Sequence, residues 1–98
     1  MAEIVVPSSG IATDMPFFTK TLGFRLDKIF PADDPAVAVL SGHGVRIRLD
    51  ATIAGQRRIP DLRLLVTDPG SIAGGAGELA APNGMRIFIE QRDPLLVT

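Results

Sequence analysis

Two segments of this 98-residue chain resemble each other, and this repeat constrains the fold more than any other feature. Residues 44–50 read Gly-Val-Arg-Ile-Arg-Leu-Asp and residues 84–90 read Gly-Met-Arg-Ile-Phe-Ile-Glu, so glycine, arginine, isoleucine and a carboxylate fall in register. Upstream of these segments, residues 5–10 correspond to residues 65–70, and each is typical of a hydrophobic strand followed by a turn. Short matches in a conserved order indicate an internal repeat. The chain is therefore predicted to contain two related units.

The two copies differ in length. The interval from Gly10 to Gly44 is 34 residues, whereas that from Gly70 to Gly84 is 14. The difference is about the length of residues 25–40, which are typical of a strand, a turn and a second strand. We therefore predict a βαβββ module followed by a βαβ module that lacks a hairpin. Within a single domain over 1–98, the parts are a first module at 1–51, a connector at 52–60, a second module at 61–91 and a tail at 92–98.

Local patterns predict the individual elements. Arg46 and Arg48 alternate with apolar residues along 45–50, as expected of a strand with one buried face. A helix is predicted over 14–22, with Thr13 as its N-cap and Gly23 at its C-terminal end. A weaker helix is expected within 70–81, despite its glycines. The predicted strands are 3–6, 25–30, 36–40, 45–50, 61–67 and 85–91.

Composition excludes several classes of function. Ten basic and eleven acidic residues give a net charge of −1, which lacks the positive patch that nucleic-acid binding requires. There is no cysteine, and therefore no disulfide or thiolate metal site. No apolar run reaches the roughly 20 residues that span a bilayer, and the N-terminus has no signal-peptide pattern. We expect a soluble cytoplasmic protein without nucleic-acid or membrane partners.

The helix and the last turn resemble those of a known family. Phe17-Phe18 precede Leu22-Gly23-Phe24 at the predicted helix end, and residues 81–85 read Ala-Pro-Asn-Gly-Met before the last strand. Within a βαβββ unit, these features resemble the vicinal oxygen chelate superfamily, which includes glyoxalases, bleomycin- and fosfomycin-resistance proteins and extradiol dioxygenases. The resemblance implies an α+β fold whose curled mixed sheet forms a partial cup.

The same resemblance implies metal ligands on four strands of the cup. The residues at the corresponding positions of this chain are not a set of metal ligands. The corresponding positions fall at or near Glu3, Arg48, Leu62 and Phe88. One carboxylate, one guanidinium and two apolar groups do not supply the three or four ligands that zinc, iron or manganese needs. A shift of register offers Asp50 and Glu90 beside Glu3 as weaker candidates, still without a histidine. We therefore expect no metal and no cofactor.

Neither a hydrolase triad nor a phosphate loop is supported. His43, the only histidine, falls in the Ser-Gly-His-Gly segment between two predicted strands, where an exposed hairpin tip is expected. Ser41 and Ser71 lack the Gly-x-Ser-x-Gly elbow of a nucleophilic serine. The glycine-rich residues 70–77 match neither the P-loop nor the dinucleotide-binding pattern.

Three arginines and one aromatic residue form the candidate ligand site. The repeat makes Arg46 equivalent to Arg86, and Arg48 equivalent to Phe88, and places all four on the same, concave side of the two units. Guanidinium groups bind carboxylates and phosphates, and a flat ring beside them suits a planar acid. Alternatively, these arginines pair with Asp50 and Glu90 or face water, as most exposed charges do.

The first hypothesis for function is a metal-free module of this superfamily that binds a small molecule or serves in an interaction. The arginines and the phenylalanine favour an anionic or planar ligand. One alternative is a metal-dependent lyase or dioxygenase with atypical ligands. Another is the N-terminal domain of a longer protein that carries catalysis elsewhere. Because the shortened second unit is predicted to leave strand edges open, we also expect a homodimer.

Overall fold

The computed structural model describes residues 2–31, 33–53, 55, 58–72 and 77–92, and these form seven strands and one α-helix. The first unit contains β1 (Glu3–Pro7), α1 (Ile11–Pro16) with a π-helical extension (Phe17–Thr21), β2 (Arg25–Phe30), β3 (Val37–Gly42) and β4 (Val45–Asp50). The second contains β5 (Leu62–Val66), β6 (Gly77–Ala80) and β7 (Arg86–Gln91). Short 3₁₀ turns lie at Ala51–Ile53 and Pro69–Ser71. The predicted tail falls, except for Arg92, outside the described residues.

Each unit forms its own mixed sheet. The first sheet has the strand order β1-β4-β3-β2 and the second has the order β5-β7-β6. The matching strands of the repeat are parallel neighbours in both units, since β1 pairs with β4 and β5 pairs with β7. The other pairs are antiparallel. The predicted α+β class, with a full first unit and a shortened second unit, is therefore confirmed.

The parallel pairs of the two units differ in register by two residues. Val5 lies beside Arg48 in the first sheet, whereas its repeat equivalent, Leu65, lies beside Glu90 rather than Phe88. A shift of two residues keeps every side chain on the same face of its sheet, because successive side chains alternate. The two units therefore share their facing pattern but not their neighbours.

The helix predicted within 70–81 is wrong where the structure describes these residues. Gly77–Ala80 is a strand that pairs antiparallel with β7, and Pro69–Ser71 is only a 3₁₀ turn. The second unit therefore differs from the first by one strand and by the absence of a described α-helix. Its last strand is central in its sheet, since β7 has β5 on one side and β6 on the other.

The helix of the first unit begins earlier than predicted. It starts at Ile11 behind Gly10, and the side chain of Thr13 makes no capping hydrogen bond. Asp14 is instead fully buried, and its carboxylate accepts hydrogen bonds from the Ser8 hydroxyl (2.6 Å) and from the Ser9 N–H (2.7 Å). The loop before the helix is therefore held by a buried carboxylate and not by an exposed threonine cap.

One hydrophobic cluster spans both sheets and the helix. Ile47 and Leu49 of the first sheet belong to the same buried cluster as Ile87 and Ile89 of the second, together with Phe18 of the helical segment. The isoleucines of the last strand therefore face the core, while Phe88, half-buried, lies on the opposite face. Among the described residues, no helix is long and apolar enough to cross a bilayer.

Candidate functional site

The candidate residues lie on the sheet faces that turn away from the core. In β4, Ile47 and Leu49 are completely buried, so the alternating Arg46 and Arg48 lie on the opposite, partly exposed face. In β7, Arg86 and Phe88 occupy the equivalent face. We call these surfaces the outward faces of the two sheets.

On the first outward face, Glu3 binds both arginines. Its carboxylate lies 3.3 Å from Nε of Arg46 and 3.9 Å from an Nη of Arg48. The parallel register explains this contact, because Glu3 is the direct neighbour of Arg46. The alternative pairing of these arginines with Asp50 is not found among the described residues: Asp50 accepts hydrogen bonds from the N–H and hydroxyl of Thr52.

The contact between Glu3 and Arg46 is a charge contact without an aligned hydrogen bond. Nε of Arg46 is inaccessible to solvent and donates to no acceptor among the described residues with proper geometry, although a Glu3 oxygen lies 3.3 Å away. A buried donor without an aligned acceptor costs free energy. This guanidinium therefore has unused hydrogen-bonding capacity on the outward face.

Arg48 also contacts an aromatic ring. Its guanidinium carbon lies 5.3 Å from the ring centre of Phe30. Phe30 is on the same face because it is the neighbour of Val37 in β3, and Val37 is in turn the neighbour of Asp50, two residues after Arg48. Phe30 is 38% exposed, which is high for a phenylalanine. The first outward face thus presents a guanidinium against an accessible aromatic surface.

On the second outward face, Phe88 contacts two guanidinium groups. The guanidinium carbons of Arg63 and Arg86 lie 5.8 and 5.6 Å from its ring centre. Arg86 donates two hydrogen bonds to Asp61, at 2.8 and 3.1 Å, and these bonds together with the charge of Asp61 raise the pKa of Arg86. Glu90 does not pair with Arg86, as considered above, but lies 3.4 Å from Arg63.

Sequence reasoning missed Arg63 and misplaced Leu62. Leu62 is buried on the core face beside Ile87, whereas Arg63 is the direct neighbour of Phe88. The alternation along β5, with Leu62, Leu64 and Val66 buried, contains the signal that would have placed Arg63 outward. Its closeness to Phe88 depends on the register between β5 and β7, which the alternation does not specify.

The residues at the family's metal positions do not form a metal site. Glu3 is engaged by two arginines, Leu62 faces the core, and Phe88 offers no ligand atom. The weaker candidates Asp50 and Glu90 do not join Glu3, since the described residues contain no group of three or more metal-ligating side chains. The donor set in the described part of the chain therefore does not fit the metal that the fold implies.

His43 is exposed at a hairpin tip, as expected, but it also makes a specific contact. It forms a two-residue turn with Gly44, and both residues have positive φ, which suits a tight hairpin. Its Nε2 donates a 2.6 Å hydrogen bond to the carbonyl of Leu22, where the helical segment ends. Its ring also packs edge-on against Phe24. His43 therefore closes the C-terminal end of the helix.

Comparison with known proteins locates the fold. No family model and no curated protein matches the sequence. Solved structures match over nearly the whole chain. An integron cassette protein from the Halifax Harbour sewage-outfall metagenome superimposes with a TM-score of 0.65 and 16% identity, covering 91% of this chain and 95% of that one. The bleomycin-binding protein of Streptomyces verticillus, solved with copper(II)-bleomycin, has a TM-score of 0.61 and 16% identity, covering 94% of this chain and 95% of that one.

Two further structures extend the same comparison. TnmS3, an antibiotic-binding protein from Streptomyces, has a TM-score of 0.61 and 19% identity, covering 93% of each chain. A glyoxalase/bleomycin resistance/dioxygenase protein from Nocardioides has a TM-score of 0.58 and 16% identity, covering 99% of this chain and 88% of that one. The fold that the sequence resemblance implies is thus confirmed.

Proposed function

We propose that this protein binds a planar, anionic small molecule on its outward sheet faces, without a metal ion. The observation that carries the proposal is the contact of Phe88 with the guanidinium groups of Arg63 and Arg86. Arg46 and Arg48, with Phe30, form a second group of the same composition on the first sheet. The predicted set of Arg46, Arg48, Arg86 and Phe88 is thereby extended by Arg63 and Phe30.

The chemistry of these groups suits a flat acid. A guanidinium is planar, carries five N–H donors and stacks on aromatic surfaces, so it binds a carboxylate or a sulfonate in its plane while its face contacts a ring. Phenylalanine supplies apolar area for the flat body of such a ligand. A neutral ligand of the same shape would gain only the apolar contact.

The existing ion pairs do not prevent ligand binding. The pair between Arg86 and Asp61 and the pair between Arg63 and Glu90 leave about half or more of each side chain exposed. Exposed ion pairs contribute only about 0–1 kcal/mol, so exchanging one for a ligand anion costs little.

The structural comparisons support a binding role in general terms. The Streptomyces proteins of this fold are an antibiotic-binding protein and a bleomycin-binding protein, the latter solved with its ligand. Enzymes of the same fold are also present among the matches, as the Leishmania major glyoxalase I indicates. The donor set at the family's metal positions favours binding without a metal for the present chain.

A pair of fluorescent probes tests the proposal. The planar anion 8-anilinonaphthalene-1-sulfonate and its neutral counterpart N-phenyl-1-naphthylamine share their rings and differ in the sulfonate. We expect saturable binding of the anion, at least about tenfold tighter than that of the neutral probe, as a charge-assisted hydrogen bond provides. Equal affinity for both probes would contradict the proposal.

Variants locate the binding. Arg63→Ala and Arg86→Ala should each weaken binding of the anion by about three- to tenfold, while Lys20→Ala, which removes an exposed positive charge from the helical segment, should not. A loss of affinity in all three variants would indicate a nonspecific charge effect. Metal analysis of protein purified without a histidine tag provides a separate test, because stoichiometric zinc, iron, nickel or manganese would overturn the metal-free assignment.

A further inference from the structure

An open pocket of about 420 Å³ lies where the hairpin tip of the first unit meets the second unit. Its walls come from the β3–β4 turn, the C-terminal end of β5, the 3₁₀ turn that follows and the residue after β7. The lining residues are His43, Gly44, Leu65, Val66, Thr67, Asp68, Ser71 and Arg92. The arginines and phenylalanines of the outward-face groups do not line it, so it is separate from the site proposed above.

Local hydrogen bonds hold the charged walls of this pocket. The backbone N–H of Arg92 donates to the carbonyl of Val66 at 2.7 Å, which places Arg92 beside the end of β5. Oδ1 of Asp68 accepts from the N–H of Gly70 at 3.1 Å, and the hydroxyl of Ser71 donates to the Asp68 carbonyl at 2.7 Å. The other carboxylate oxygen of Asp68 accepts no hydrogen bond from the described residues. The pocket is therefore lined by one acidic and one basic residue, and hydrogen bonds hold the backbone at both of them.

His43 adds an acceptor to the same pocket. Because a carbonyl only accepts hydrogen bonds, the contact with Leu22 requires a proton on Nε2 of His43. In the neutral ring Nδ1 is then an acceptor, and it has no partner among the described residues. Edge-on packing against Phe24 fixes the plane of this ring. His43 and Asp68 are thus two lining residues that each offer an acceptor to an ammonium group.

We propose that this pocket binds a small zwitterion with an apolar side chain, of the kind that an α-amino acid represents. The ammonium group binds Asp68 and Nδ1 of His43, and the carboxylate binds the guanidinium of Arg92. Arg92 also has a partner within the protein, but its five N–H donors allow it to engage both. Leu65, which is 58% exposed, provides the apolar wall. The volume is within the roughly 300–1,000 Å³ that is usual for ligand pockets.

Three matched probes test this assignment by amide NMR on the full chain. L-Leucine carries both charges, 3-methylbutylamine lacks the carboxylate and 4-methylpentanoate lacks the ammonium group. We expect L-leucine to shift the amide resonances of Thr67, Asp68 and Ser71 in a saturable manner with a Kd near or below about 1 mM. Each single-charge probe should bind at least about tenfold more weakly. Absence of saturable shifts with L-leucine, or equal binding of all three probes, would overturn the proposal.

Charge-removing variants complete the test. Asp68→Asn keeps an oxygen for the Gly70 N–H but removes the charge, and it should weaken L-leucine binding about tenfold. Asp50→Asn is the matched control, because Asp50 also accepts from a backbone N–H two residues ahead but lies outside the pocket. Arg92→Gln should weaken L-leucine binding by a similar factor. It therefore tests the pocket independently if Asp68→Asn alters the turn. Shifts confined to Arg86 and Phe88 would place the zwitterion on the outward face and contradict this proposal without affecting the first.

Discussion

The side-chain amide of Asn83 donates a 2.9 Å hydrogen bond to the carbonyl of Pro7, which lies 76 residues earlier in the chain. Its amide oxygen accepts from the N–H of Met85 at 3.1 Å, so both ends of this buried side chain are satisfied. The turn before β7 is thereby joined to the last residue of β1. One polar side chain connects the second unit to the first.

We expect Asn83→Ala to lower the free energy of unfolding by about 2–3 kcal/mol, because it leaves the Pro7 carbonyl and the Met85 N–H without their partners. Urea denaturation measures this difference. Gln91→Ala, which removes an exposed amide from β7, is the control and should change stability by no more than about 0.5 kcal/mol. A similar small effect of Asn83→Ala would show that the link between the units is not important for stability.

The buried carboxylate of Asp14 provides the second prediction. Asp14→Ala should destabilise the protein by about 2–4 kcal/mol, because the buried Ser8 hydroxyl and the Ser9 N–H lose their acceptor. Thr13→Ala should cost less than about 0.5 kcal/mol, because the threonine that the local pattern indicates as a cap makes no capping bond. Thermal unfolding of both variants compares the two losses of stability directly. A larger loss in Thr13→Ala than in Asp14→Ala would indicate that Thr13 caps the helix after all.

The third prediction concerns Asp27 on β2. A hydrogen bond from Ser41, together with the hydrogen bond and charge of Arg25, holds the pKa of Asp27 below its usual value of 3.8. A lowered folded-state pKa means that Asp27 stabilises the fold above the unfolded pKa, and this contribution is lost as the pH falls through the folded pKa. Carboxyl-detected NMR titration should show that Ser41→Ala raises this pKa. Thr52→Ala, whose hydroxyl binds Asp50, should leave it unchanged.

The fourth prediction separates ligand binding from stability. Arg48→Ala and Arg86→Ala should each change the free energy of unfolding by less than about 1 kcal/mol, because their ion pairs are partly exposed. The same variants should weaken binding of the anionic probe. A loss of stability above about 2 kcal/mol, measured by urea denaturation, would identify these arginines as structural ion-pair partners instead.

The fifth prediction is a symmetric homodimer. In the described sheets β1 and β5 each have only one neighbouring strand, and both carry exposed apolar residues, Ile4 and Leu65. Open apolar edges are usually covered, and closed two-fold dimers are the commonest means. The last strand, β7, is central in its sheet and has no open edge for pairing.

Light scattering at micromolar concentration should therefore give twice the 10.4 kDa mass of the chain. Ile4→Lys on β1 should produce monomers. Leu26→Lys changes a residue of similar exposure on β2, the other edge strand of the first sheet, and monomers from that variant alone would place the interface there instead. A folded wild-type protein with the mass of one chain would contradict the dimer.

Strand patterning could be predicted from the sequence alone because it depends on alternation and repetition. The alternating residues of β4 specify which side chains face the core, and the repeat specifies that β7 has the same facing pattern. Arg46, Arg48, Arg86 and Phe88 were therefore expected on the same side of the two units, and they lie on the sheet faces opposite the buried isoleucines. Their alternation contains no information about neighbouring strands.

The tertiary structure decided which side chains the arginines contact. Glu3 rather than Asp50 binds the arginines because the parallel register of β1 and β4 places it beside Arg46. Arg63 reaches Phe88 because β5 and β7 are shifted by two residues relative to the repeat.

The sequence by itself determined two units, their facing patterns and the class of fold, since these follow from periodicity over short stretches. Only the tertiary structure made Gly77–Ala80 a strand, because this short segment has little intrinsic preference and gains its hydrogen bonds from β7. The same holds for the bond between Asn83 and Pro7. Such contacts join residues far apart in the chain, and their geometry depends on how the completed units pack.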